Sequence, residues 1–259
     1  MSILKRTSRI GRQYSHGRYS GQIGIRKPSP MRDFQLPPSV DLRPQFPPCY
    51  DQGSWGTCTE NAVASVLHAM QPITARWMPS RLYLAYEAST VHEEDGVTTF
   101  VSILDPCMLT GYTAESLWPY DQVHLDIAPN ATATFDAAKH RIGCYARVPD
   151  NDLTSLKTSL ALGKPVLLGV QCYAGFEDAI TASTGDVPTP GWWERLKGCL
   201  GGHGIVAVGS DDKTQRIRFR NSWGIGWGCA GYGTIGYDYF TNSSLSNDCW
   251  TISSLVETP

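Results

Sequence analysis

The chain has 259 residues, 22 Lys+Arg against 24 Asp+Glu for a net charge of −2, and 41% hydrophobic residues. That is enough apolar material for a substantial core in one globular unit, with room for two lobes. No apolar run approaches the ~20 residues that cross a bilayer, so no membrane partner is expected, and a near-neutral balance gives no reason to expect a nucleic acid.

In chain order, the first boundary falls near residue 36. Residues 1–36 hold eight basic side chains and one acid, Asp33, for a net of +7, which leaves −9 on residues 37–259. The arm is rich in Gly, Ser and Tyr, with few large aliphatics and no helical period, so it has no core of its own. No apolar h-region follows Lys5-Arg6, so no ordinary signal peptide is visible. The chain is expected in the cytoplasm as synthesised, with a non-standard secretion route left open.

The body opens with Leu36-Pro37-Pro38-Ser39-Val40-Asp41 and reaches the run Asp51-Gln52-Gly53-Ser54-Trp55-Gly56-Thr57-Cys58. Ala62, Val63, Val66, Leu67 and Met70 then recur every three or four residues, which predicts a helix over 58–70. Similar patterns predict helices over 80–89, 98–109 and 151–163, with shorter pieces near 113–117 and 132–140. Strand-like patterns follow at 142–148, 165–172, 204–210, 215–221, 231–237 and 249–256. The Gly- and Pro-rich segment 183–202, carrying Trp192 and Trp193, reads as a loop that leads into Gly202-His203-Gly204. Asn221-Ser222-Trp223-Gly224 comes next.

Cys58, His203 and Asn221 supply a thiol, a base and an orienting amide, the set needed for nucleophilic attack on a carbonyl. A free thiol has a pKa near ~8.5 and is mostly protonated at neutral pH. A helix start and an imidazolium both favour its thiolate, and residue 58 opens the predicted helix. An oxyanion then needs preorganised donors, for which the Gln52 side-chain amide and the Cys58 backbone N–H are the candidates. Singly, each residue has an ordinary structural reading: a buried thiol, a histidine near a turn, a turn asparagine. Gly226-Trp227-Gly228-Cys229-Ala230-Gly231 fits a dinucleotide fingerprint, but a strand-like segment follows it where a helix is required. No C-x-x-C spacing suggests zinc, so no metal or cofactor is expected.

These residues, with Gln52-Gly53 ahead of the thiol, Asp95-Gly96, Glu115-Ser116-Leu117-Trp118-Pro119-Tyr120, and Asn221 to Gly228 followed by Gly231-Tyr232, resemble the papain family of cysteine peptidases over about residues 37–256. The resemblance implies an α+β, papain-like two-lobed fold, with a helical lobe over about 37–140, a β-rich lobe over about 141–256 and the groove between them. It implies a cysteine endopeptidase with Cys58, His203, Asn221 and Gln52 as catalytic residues, Gly96 and Gly202 near the substrate, and Trp223 packed over the His203–Asn221 contact. Peptides or proteins are the expected substrates and a monomer the expected state. The arm, residues 1–36, precedes the mature-like start as a prosegment would, and opposite charge would draw it to the groove as an intramolecular inhibitor. A basic tail that binds polyanions is the other reading of it.

The chain departs from the family pattern where Trp55 stands at a usual cysteine and Thr59 at a usual aromatic position. The family's first disulfide therefore cannot form in the same place. Eight cysteines less Cys58 leave an odd number, whose pairing spacing does not determine. A catalytically silent peptide-binding protein on the same fold and an acyl or amide transferase remain as alternatives.

Overall fold

A computed structural model of the chain describes residues 35–91 and 98–257, so the arm up to residue 34 and Gly96 lie outside the described residues. The described chain enters through a short strand, β1 (Ser39–Asp41), and a long loop leads to α1 (Cys58–Met70). The apolar face predicted for α1 is present, yet the rest of the helix is covered too: every residue from Cys58 to Leu67 is buried. It packs against α2 (Arg81–Val91), α3 (Phe100–Leu109) and the sheet. Ser80 begins α2 by accepting the Tyr83 N–H at 3.1 Å, and Thr99 with Ser102 forms a capping box on α3.

After α4 (Ala131–Ala137) the chain turns to strands and short helices: β2 (His140–Arg147), α5 (Leu153–Ala161), β3 (Val166–Cys172), α6 (Ala174–Glu177), α7 (Ala179–Thr184) and α8 (Trp192–Lys197). Then come β4 (Gly201–Asp211), β5 (Arg216–Arg220), β6 (Tyr232–Gly236), α9 (Tyr237–Phe240) and β7 (Ser246–Glu257). The strands form one antiparallel sheet in the order β2-β7-β3-β4-β5-β6, with β1 also paired to β4. The result is the expected α+β mixture, with a helical part and a β-rich part.

The two parts meet where α1 sits on β4. Gly204 permits this: a Cβ there would lie 3.1 Å from the backbone N and Cα of Thr59, tighter than side chains normally tolerate. A second tie runs from Asp248 in β7, whose Oδ2 accepts the Phe100 N–H of α3 at 3.0 Å.

Three local expectations change. Residues 113–117 are not a helix, because Ala114 bridges to Pro79 and the Glu115 N–H goes to Met78 O at 2.7 Å; backbone pairing with the segment just ahead of α2 takes the groups a helix would use. The segment 183–202 is not all loop, since it contains α8, and β4 begins at Gly201. Ser39–Asp41, counted with the helical half, joins the sheet through register Val40↔Ser210.

Candidate active site

Cys58 is the first residue of α1 and is 4% exposed. No side chain caps this helix start, because the Thr57 hydroxyl is engaged with Tyr120 and Asn61 instead. Backbone N–H groups at such an end carry partial positive charge and favour an anion. His203 lies in β4 one residue before Gly204, the glycine pressed against the Thr59 backbone, so its strand runs past the first turn of α1.

The state of the ring follows from its partners. Asn221 Oδ1 accepts the Ser222 N–H at 2.8 Å, which fixes the amide orientation, and the same oxygen lies 2.8 Å from His203 Nε2. Nε2 is therefore the protonated nitrogen, and in the neutral ring Nδ1 carries the lone pair. Nδ1 is buried and has no hydrogen-bond partner among the described residues. Full burial lowers the imidazole's pKa from 6.5 to about 4, against the smaller opposing pull of the Asn221 bond. The imidazolium is thus costly here unless an anion stands beside it, which is what a Cys58 thiolate would provide. The Trp223 ring lies 4.9 Å from the imidazole at 31°, as expected for a cover, and Phe176 from α6 meets it edge-on at 6.0 Å.

Gln52 is fully buried and held at both ends of its amide: Oε1 accepts from Ser222 Oγ at 2.6 Å, and Nε2 donates to Trp55 O at 2.7 Å. Its backbone N–H donates to Ser222 O at 2.8 Å, and Asp51 bridges to Trp223. The loop ahead of Cys58 is thereby stitched to the segment after Asn221. Gly53 makes the turn after Gln52 with a positive φ of 61°, which favours glycine. Gly202 is buried in β4 opposite Gln171, directly before His203.

Beneath this loop runs a polar network that motif reading missed. Arg81 forms a two-pronged ion pair with Glu115 at 2.8 Å on each prong and donates to Asp51 O at 3.0 Å and Asn61 Oδ1 at 3.1 Å. Asn61 donates to Thr57 O at 2.7 Å and Oγ1 at 3.1 Å, and Tyr120 OH donates to Gln52 O at 2.9 Å. Glu115 and Tyr120 stand in a motif of the family, but their pairing with Arg81 and Gln52 has no local signal. Phe176 had none either. None of the eight cysteines is in a disulfide, and no cluster among the described residues could hold a metal ion.

Fold and site together define a cysteine peptidase, with the candidate thiol at a helix start and the candidate base carried by the sheet. The chain belongs to the papain family of cysteine proteases, whose profile matches residues 36–253. It is similar to xylellain, a cysteine protease from Xylella fastidiosa, with 28% identity over 97% of this chain and 98% of that one and a TM-score of 0.85. An uncharacterised peptidase C1-like protein of Acanthamoeba polyphaga mimivirus is 28% identical over 80% of this chain and 70% of its own length. The ragweed pollen cysteine protease Amb a 11, solved in its proform, shares the fold at 19% identity and a TM-score of 0.67, over 86% of this chain and 69% of that one.

Proposed function

We propose that the chain hydrolyses peptide bonds through a thioester on Cys58. The sulfur attacks the carbonyl carbon, and the oxyanion is received by the Gln52 side-chain amide and the Cys58 backbone N–H. The C–N bond breaks as His203 Nδ1 gives its proton to the leaving amine. Water then adds to the thioester, passing a proton to Nδ1, and the sulfur leaves as thiolate beside the re-formed imidazolium. Asn221 keeps Nδ1 turned to the sulfur throughout. The observation that carries this reading is the His203 ring, oriented through Nε2 by an amide of fixed direction and left with a buried, unpartnered Nδ1.

Gly202, and Gly96 from the sequence, are assigned to the substrate groove. The arm, residues 1–36, is assigned as an inhibitor in cis; its support is a +7 charge against the −9 of the body and a fold relative solved as a proform. The test of the chemistry is cleavage of a fluorogenic peptide by the wild-type chain, Cys58→Ala and His203→Ala. Both variants should lose nearly all activity, and to a similar depth, because the two groups act as one unit. Substantial turnover by Cys58→Ala would end the reading. A folded wild-type chain that binds peptide without cleaving it would leave the silent-binder alternative.

A further inference from the structure

The loop from Asp51 to Cys58 carries both groups assigned to the oxyanion, yet the chain has no covalent link across it. Trp55 occupies the position where the family has a cysteine, and no cysteine is in a disulfide. Oxyanion donors act only if they are already in place when charge develops, so non-covalent ties must fix this loop; those to Ser222 and Trp223 hold one side of it.

The hydrogen bonds beneath it have a single direction. Arg81 donates to Asn61 Oδ1, and the Asn61 amide donates to Thr57 Oγ1. The Thr57 hydroxyl lies 2.6 Å from Tyr120 OH, which itself donates to Gln52 O. Because Tyr120 spends its proton on Gln52, Thr57 must be the donor in the short contact between them. The chain thus starts at a buried cation and ends on the backbone of Gln52, each bond polarising the next. Tyr120 is where the supports converge: the Arg81 guanidinium lies 3.6 Å from its ring centroid, and the Trp55 ring lies 4.7 Å away on the loop itself. Burial pushes the Tyr120 hydroxyl up to about 12, so it remains a donor at any ordinary working pH.

We propose that Tyr120 is the positioning residue of the oxyanion-binding loop: its hydroxyl and ring, braced by Arg81, fix Gln52 and Thr57, and through them the Gln52 amide and the Cys58 N–H. This rests on the hydrolytic reading of Cys58 and Gln52 and adds the device that holds them. Tyr120 touches no reacting atom, so its effect is confined to steps in which a carbonyl oxygen gains charge.

The test is Tyr120→Phe, which keeps the ring for Arg81 and Trp55 and removes only the hydroxyl. With a peptide substrate, kcat should fall about tenfold while KM stays within about twofold, because misplaced donors are missed mainly in the transition state. Affinity for a peptide aldehyde should weaken by about the same factor. Its carbonyl carbon bonds to the Cys58 thiolate, and the negative charge passes to its oxygen in the oxyanion site while the imidazolium keeps its proton. Alkylation of Cys58 by iodoacetamide creates no oxyanion, so its rate should change less than about twofold. Thr57→Val, which breaks the same chain one link earlier, should give the same pattern. The proposal is overturned if kcat is unchanged in Tyr120→Phe, or if alkylation slows as much as turnover. A wild-type chain with neither turnover nor aldehyde binding would sink the hydrolytic reading and this one with it; normal wild-type turnover with an unaffected Tyr120→Phe sinks only the role of Tyr120.

Discussion

Replacing Asn221 by Ala should disable His203 without touching the nucleophile. Asn221 is 3% exposed, and its Oδ1 is the acceptor for both His203 Nε2–H and the Ser222 N–H, each at 2.8 Å. Without it the Nε2–H remains in a buried site with no acceptor, which costs about 1–3 kcal/mol. At ~1.4 kcal/mol per decade, the loss in kcat/KM is about 5- to 150-fold. The upper end is expected, because Ser222 also loses its acceptor and Ser222 Oγ holds the Gln52 side chain. The pH profile gives a second, signed readout. The Asn221 bond raises the His203 pKa against the lowering by burial, so removing it makes the imidazolium deprotonate at lower pH. The alkaline limb of kcat/KM should therefore move toward acid. Fluorogenic peptide assays across pH, at substrate concentrations well below KM, measure both effects. A loss under about threefold, or an alkaline limb displaced toward higher pH, would refute the orienting role.

The wild-type chain should give a bell-shaped pH dependence of kcat/KM whose two limbs belong to the coupled Cys58–His203 pair; a rate that climbs steadily through pH ~9 would contradict a pre-formed ion pair. In Cys58→Ala the thiolate is gone, and His203 should titrate near 4, well below 6.5. Its folded pKa then lies below its unfolded value, so the unfolded chain takes up the proton first as pH falls. Stability should drop by about 3 kcal/mol between those two pH values and level off below them, and this component should vanish from urea midpoints in Cys58→Ala/His203→Gln. Arg81→Ala should destabilise the chain by about 3 kcal/mol in urea or thermal melts, since its Glu115 partner is only 17% exposed; a change under 1 kcal/mol would demote the network. Deleting residues 1–36 should raise kcat/KM on a small peptide, and moderate salt should partly reproduce that gain in the full chain; equal values for the two proteins at low salt would leave the arm as a basic tail.

Much of the site could be read in the sequence because its groups sit in short, self-contained patterns. Cys58 opens a helix whose apolar period is plain, and Asn221 lies within a run of tryptophan and glycine that fixes its surroundings. His203 stands out between Gly202 and Gly204, although its strand begins at Gly201 rather than at residue 204, because glycines mask a strand pattern. What stayed hidden depends on contacts far apart in sequence. Tyr120 reaches Thr57 and Gln52 across 63 and 68 residues, and no local spacing encodes that. The same holds for Phe176, whose role comes only from the approach of α6 to β4. Residues 113–117 escape a helix for a related reason: they are acceptable in one, but Met78 and Ser80, just ahead of α2, claim their backbone groups.

If Cys58 is the only nucleophile, all turnover passes through its sulfur. The most direct measurement is titration of the wild-type chain with an epoxide-type peptide inhibitor, following residual activity and intact mass together. Activity should fall linearly to zero as one inhibitor is taken up per chain, peptide mapping should find the label on Cys58, and Cys58→Ala should take up none. Turnover that persists after one equivalent is bound, or a label on another residue at the point of full inactivation, would contradict it.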